Sequence, residues 1–341
     1  MDNKTRLEVI DGESLMDLRL EPTKFCVDTL LPAGMCILGG APKIGKSWMV
    51  LDLCVRIAKG EPIWNLPTKK GTTLYICLED NHTRLQSRLN LITDEVPNNV
   101  FFAITSKTMS DGLCEQIRDF VKEHPDTVLV AIDTFQIIRK NDIDISYGND
   151  YQEIRVLKEL ADTLGITLLL IHHLRKQGDS DPLNKLSGST GISGGVDAVF
   201  VLDVNQRSQG AATLYCTGRD IGYRQLELRF EKEHCLWQLI SDTFEREEKL
   251  LPREMEQFVD FMKSEIKFHG SNTELAEKYH SFCGTELSTK ALKQMMNSWR
   301  YLLEDMGVRF KSGRSNGTRF VTVNYFSAGN QGDASDDSDV S

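Results

Sequence analysis

The sequence predicts an α/β fold: a mixed, mainly parallel central sheet covered by helices, then a small unit of helices and a β-hairpin. Three observations predict it. Apolar runs without in–out polarity, such as TTLYICL (72–78), DTVLVAID (126–133) and ITLLLIHH (166–173), alternate with amphipathic helical patterns. A glycine-rich segment, GAPKIGKS (40–47), follows the first apolar run and opens a helix. Near residue 245 the text turns polar, and helical patterns then lead into two short strands joined by GRSNGT.

The elements follow in order. Residues 1–30 read as a lead-in, and LPAGMCILGG as a short strand ending in glycines. From Lys46 to about Lys59, Val50, Leu51, Leu53, Cys54 and Ile57 give a helix one apolar face. After strand 72–78, Leu85, Leu89 and Ile92 mark another helix; strand 126–133, helix 149–164 and strand 166–173 complete the alternation. Beyond residue 196, DAVFVLDV, AATLYCTG, RQLELRFE and CLWQLI are short runs separated by turn signals, expected as antiparallel strands extending the sheet. The domain reading is 1–245 for the core, 253–327 for the small unit, and 328–341 as an acidic tail too poor in apolar bulk to fold.

Composition limits the classes. Of 341 residues, 40% are hydrophobic and 26% charged, which is ordinary for a globular chain. No apolar run approaches the roughly 20 residues of a membrane helix, and the N-terminus lacks the basic-then-apolar order of a signal peptide. The eight cysteines are scattered without a CxxC pair, so reduced thiols in a cytoplasmic protein are expected and a zinc site is not. The net charge of −10 argues against a nucleic-acid partner in total, although local patches count for more than the sum.

GAPKIGKS fits GxxxxGK[ST] in full, a match expected by chance in about 1% of chains of this length. The residues Gly40, Ala41, Pro42, Lys43, Ile44, Gly45, Lys46 and Ser47 therefore form a candidate P-loop for ATP. Backbone N–H groups would curl around the phosphates and Lys46 would neutralise the β- and γ-phosphates. The Ser47 hydroxyl would hold Mg²⁺. A second carboxylate for Mg²⁺ is expected at the end of an apolar strand, and Asp133 in VLVAIDT supplies it; an Asp there can also be only a helix cap. Hydrolysis needs a base to orient water, and Glu79 closes the strand after the P-loop helix, with Asp80 as competitor.

ILGGAPKIGKSWMVLDL, LYICLED, VLVAIDT and LLLIHHLRK, taken together over about residues 20–240, resemble the RecA-like hexameric helicase group, and within it the plasmid RepA-type ATPases (AAA_25). The resemblance implies a RecA-like P-loop NTPase core and assigns water activation to Glu79. It makes His173 the sensor of the γ-phosphate, with His172 one position off. It also implies an arginine finger donated to a neighbouring subunit. Arg219 in LYCTGRDIGYRQ matches, but Thr217 stands where many relatives carry a Lys. A shared site implies a homo-hexamer or another ring or filament.

The same resemblance implies single-stranded DNA in the channel, held by loops 139–150 and 175–195, the second carrying Arg175, Lys176 and Lys185. HGSNTELAEKY followed by ELSTKALKQMMNSWRYLLEDMGVRF resembles the winged-helix tails of phage and mobile-element replication proteins. That likeness makes Lys290, Lys293, Arg300, Arg314 and Arg319 DNA-contact candidates, although winged helices also dock proteins. Trp299, Leu302 and Leu303 read as core.

The expectation is thus an ATP-dependent DNA helicase or translocase of replicative type, from a plasmid, phage or integrative element. Its partners would include a replication initiator or primase. The alternative is an ATP-dependent DNA-binding switch or loader that does not unwind. A small-molecule kinase is disfavoured by the order of Glu79 and Arg219.

Overall fold

The computed structural model describes residues 7, 9–18, 21–139, 147–174, 192–206, 210–244, 253–284, 287–315 and 318–326. The chain divides into two compact units: Glu21–Glu245, and Met1–Leu20 together with Arg246–Ser341. Helix α1 (Gly12–Asp17) falls in the second of these units.

The larger unit is built on one nine-stranded sheet. After a small pair, β1 (Phe25–Val27) and β2 (Leu31–Pro32), come β3 (Gly34–Gly40), helix α2 (Lys46–Lys59), β4 (Thr72–Cys77), α3 (His82–Ile92) and β5 (Val100–Ala103). Helix α4 (Leu113–Glu123), β6 (Thr127–Asp133), α5 (Phe135–Ile138), α6 (Tyr147–Leu164), β7 (Thr167–His173) and α7 (Ile192–Gly195) follow. Then come β8 (Ala198–Gln206), β9 (Ala211–Gly218), β10 (Arg224–Glu231) and β11 (Leu236–Asp242). The strand order is β11-β10-β9-β8-β3-β7-β6-β4-β5. Pairs from β8 through β3, β7, β6 and β4 to β5 are parallel; those among β8, β9, β10 and β11 are antiparallel.

This corrects one expectation. The run at 198–206 is not antiparallel to the core, since β8 lies beside β3 in the same direction and only β9 turns the sheet. An apolar run carries no sign of its direction; the crossover from β7 sets it. Strand β5 and helix α4 were not anticipated.

Side-chain alternation sorts the strands onto two faces. Cys36, Leu38, Tyr75, Leu129, Ala131, Leu169 and Ile171 join a core with α2. Met35, Ile37, Leu74, Ile76, Val130, Ile132, Leu168 and Leu170 join another with α4 and α6. Both faces of β3, β4 and β6 are buried end to end, which is why these strands read as continuous apolar runs.

The smaller unit contains α8 (Arg253–Glu265), β12 (Lys267–Gly270), α9 (Asn272–Cys283), α10 (Thr289–Ser298), α11 (Arg300–Asp305), β13 (Val308–Ser315) and β14 (Thr318–Tyr325). Its sheet, β12-β14-β13, is antiparallel; β12 was not anticipated. Ser271 and Glu274 form a capping box at the start of α9. Phe258, Phe261, Tyr279, Leu303 and Val323 lie in its core, with Trp299 packed against it.

Candidate nucleotide-binding site

The four parallel strands β3, β4, β6 and β7 end along one edge of the sheet, at Gly40, Cys77, Asp133 and His173. Ligands bind at that edge in open α/β sheets. Between β3 and α2 the chain turns through Ala41–Gly45, with Gly45 at φ 100° as the N-cap of α2. Glycine is required there twice over: the backbone is left-handed, and a Cβ would meet the Trp237 ring at 3.0 Å. Gly40 is constrained by space alone, since a Cβ would meet the Leu202 carbonyl oxygen at 2.8 Å. Trp237, from β11, donates its indole N–H to the Gly45 carbonyl at 3.2 Å, and the Trp64 indole donates to the Trp237 carbonyl at 2.7 Å. The antiparallel extension thus braces the loop.

Lys46 is buried at 4% exposure. Its Nζ donates to the carbonyls of Gly40 and Ala41, both at 2.9 Å, and lies 3.1 Å from His173 Nδ1. Burial pushes its pKa down to about 8, while the charges of Asp133 and Glu79 pull it up. An ammonium has no acceptor, so His173 Nδ1 is the acceptor and Nε2 carries the proton. Nε2 faces Glu79 Oε1 at 3.6 Å. Lys46, His173 and Glu79 therefore form a chain across the edge.

Alternation along β7 explains which histidine takes part. His173 has the parity of Leu169 and Ile171 and faces α2, whereas His172 turns to the other face, edge-on to Phe135. The acidic pair is also divided. Asp80 is 5% exposed and ion-paired with Arg84 and Arg88, and the Arg88 guanidinium also lies over the Trp48 ring. The Glu79 carboxylate is half exposed.

Ser47 Oγ donates to Asp133 Oδ2 at 2.6 Å, and the Tyr75 hydroxyl donates to the same oxygen at 2.9 Å. A hydroxyl and a carboxylate side by side, both hard oxygen donors, fit Mg²⁺. The buried Thr134 hydroxyl next in sequence has no hydrogen-bond partner among the described residues. Tyr75 and Trp237 were missed in the sequence. A tyrosine inside a fully apolar run is itself a signal, since its hydroxyl needs a partner; Trp237 carries none.

Arg219 lies elsewhere. Gly218 pairs with Ala198, and Ala198 with Cys36, four residues before Gly40. At about 3.3 Å per residue, Arg219 stands at the opposite edge of the sheet from its own P-loop. Its side chain is 58% exposed, with the guanidinium 3.4 Å from the Asp197 carboxylate, and the backbone N–H of Arg219 donates to the Asp197 carbonyl. Asp197 also accepts from Lys158 Nζ and from the N–H of Met35.

The DNA-contact candidates divide. Arg175, Lys176 and Lys185 lie outside the described residues, as does tail 328–341. Of loop 139–150, Arg139 pairs with Glu153, and helix α6 already begins at Tyr147. Lys290 and Arg314 are exposed, Lys293 and Arg319 partly so. Arg300 is a correction: it follows the junction of α10 and α11 at Trp299 and faces the core. It is buried at 8% exposure, with its guanidinium 4.2 Å from the Phe310 ring centroid, so it is not displayed to a phosphate.

The strand order, the glycine-braced loop and the Lys46–Ser47–Asp133 arrangement define a P-loop NTPase core of RecA-like architecture. The chain belongs to the AAA_25 family of AAA domains, whose pattern matches residues 4–179.

Among curated proteins, DNA repair protein RadA of Halalkalibacterium halodurans is 27% identical over 155 residues, covering 44% of this chain and 30% of that protein. RadA of Escherichia coli K12 is 23% identical over 180 residues, covering 51% and 33%. The chain thus spans about a third of the length of the curated relatives it matches. Among solved structures, the ATPase domain of G40P superposes with a TM-score of 0.51 at 15% identity, over 61% of this chain and 85% of that one. A DnaB-like replicative helicase, described with its interactions with primase, gives 0.50 at 16% identity, over 60% and 57%. At these identities the shared property is the fold.

Among the described residues no helix is long and apolar enough to cross a membrane.

Proposed function

We propose that this chain is an ATP-driven motor on single-stranded DNA. It would be of the hexameric replicative-helicase type and RepA kind, encoded by a plasmid, phage or integrative element. The observation that carries the reading is the separation of Arg219 from its own Lys46. An exposed arginine at the far edge of the sheet cannot reach its own nucleotide, but it can complete a neighbour's. A site shared in this way needs a ring or filament with heterologous contacts.

Within one subunit the chemistry follows from the geometry. The P-loop N–H groups hold the phosphates, and Lys46 leaves its resting carbonyl partners to neutralise the β- and γ-phosphates. Glu79 orients the attacking water and accepts its proton. His173, between Glu79 and Lys46, is the group that registers whether a γ-phosphate is there. Ser47 and Asp133 would hold Mg²⁺, which would offset phosphate charge. Arg219 of a neighbour would offset the negative charge that builds on the transferring γ-phosphoryl group and on the departing ADP oxygen.

DNA contact is assigned to loop residues Arg175, Lys176 and Lys185. It is assigned also to Lys290, Lys293, Arg314 and Arg319 of the smaller unit, read as a winged helix of residues 253–327. The exposure of Lys290 and Arg314 supports that part. A replication initiator or primase is the proposed protein partner.

The test is the ATPase rate with and without single-stranded DNA, beside a mass measurement of the assembly and a strand-displacement assay. Stimulation by DNA in a closed oligomer that displaces strands is expected. A DNA-insensitive monomer overturns the motor. A DNA-stimulated oligomer without displacement selects a loader or switch instead.

A further inference from the structure

Tyr75 sits within β4 on the face that carries α2, and is 1% exposed. A hydroxyl buried that deeply needs a partner. Its partner is Asp133, whose Oδ2 accepts from Tyr75 at 2.9 Å and from Ser47 at 2.6 Å. Two hydroxyls from different elements, β4 and α2, thus converge on one carboxylate oxygen at the end of β6. The phenol ring cannot drift, because its hydroxyl is anchored and Phe102 packs edge-on at 6.5 Å.

A carboxylate bound by one donor is still free to turn, since the terminal torsion of Asp is broad. A second donor in a rigid strand removes that freedom. Nothing in the packing requires the oxygen: phenylalanine would fill the same space. The hydroxyl therefore serves the carboxylate.

We propose that Tyr75 is a positioning residue for the metal-binding pair, its hydroxyl holding the Asp133 carboxylate in register with Ser47 and so setting how strongly Mg²⁺ tightens nucleotide binding. The inference rests on the reading of Ser47 and Asp133 as Mg²⁺ donors. Hydrogen bonds that orient ligating carboxylates are worth roughly 10–100-fold in metal affinity.

The test uses the full-length chain and a fluorescent ADP analogue, with affinity measured in excess Mg²⁺ and in EDTA. The ratio of the two is the metal enhancement. Tyr75→Phe is expected to lower that ratio about tenfold, with the EDTA affinity unchanged and a thermal midpoint near that of the parent. Direct Mn²⁺ binding by electron paramagnetic resonance, in the presence of ADP, should weaken in parallel. An unchanged ratio in a folded Tyr75→Phe variant overturns the proposal. Should that variant not fold under ordinary conditions, the same ratio is measured in a stabilising osmolyte below its thermal midpoint, where an unchanged value likewise overturns the proposal.

Asp133→Asn separates the two layers. If it leaves the ratio unchanged, the metal reading falls, and Tyr75 with it. If Asp133→Asn lowers the ratio and Tyr75→Phe does not, only the role of Tyr75 falls.

Discussion

The two edges of the large sheet are built on opposite plans. At the edge where β3, β4, β6 and β7 end, Lys46, Ser47, Asp133, Glu79 and His173 are linked by contacts of 2.6–3.6 Å. At the other edge Arg219 is exposed and tied to Asp197. One edge gathers the P-loop lysine and the strand-end acids; the other displays an arginine. The difference is what the proposed shared site rests on: with nucleotide lying between copies, the arginine of one copy would complete the site of the next.

The sharpest way to break this comparison is Arg219→Ala. Loss of a finger in trans costs roughly 10³-fold or more in turnover, with ATP affinity retained, and mixing with a Lys46→Ala chain should restore activity. Each partner then supplies what the other lacks. Wild-type turnover in Arg219→Ala, or no rescue on mixing, removes the link between the two edges.

Glu79→Gln comes next. A positioned base is worth about 10²–10⁴-fold, so hydrolysis should drop while nucleotide still binds. Asp80→Asn is the comparison: its carboxylate is committed to Arg84 and Arg88, so equal losses in both variants would dissolve the division between the two acids.

The smallest effect is a titration. Lys46 in the free protein loses its proton as pH rises through about 8, against an ordinary value of 10.5. Phosphates need the ammonium form, so nucleotide affinity should fall above pH 8, approaching tenfold per unit. Stability runs the other way. Between pH 8 and 10.5 the unfolded chain holds the proton that the folded chain has released, so this group makes the nucleotide-free fold more stable as pH rises. Calorimetric titration and thermal melts from pH 7 to 10.5 should show the opposing trends, and Lys46→Ala should remove both.

Much of the site edge was legible because it is made of strand ends. An apolar run terminated by a charged or polar residue places that residue at the sheet's edge, which is how Asp133, Glu79 and His173 could be read. The choice of His173 over His172 came with the family resemblance, and the alternation of β7 puts the two on opposite faces. Tyr75 was less legible, because within a continuous apolar run its ring looks like core and its hydroxyl partner lies 58 residues away. Arg300 shows the opposite failure. The resemblance set it beside Lys293 as a DNA-contact candidate, but it is buried against Phe310.

By itself, then, the sequence determined the P-loop, the alternation of strand and helix, and the identity of the strand-end acids. These depend on local pattern: glycine where the backbone must turn, apolar period where a face is buried. Only the tertiary structure decided the strand order, the parallel direction of β8 and the pairing of Asp80 away from the site. It also decided the convergence of Tyr75 and Ser47 on one oxygen, and the distance between Arg219 and Lys46. Those depend on which strands lie side by side, and side-by-side order comes from crossovers and packing that no local pattern encodes.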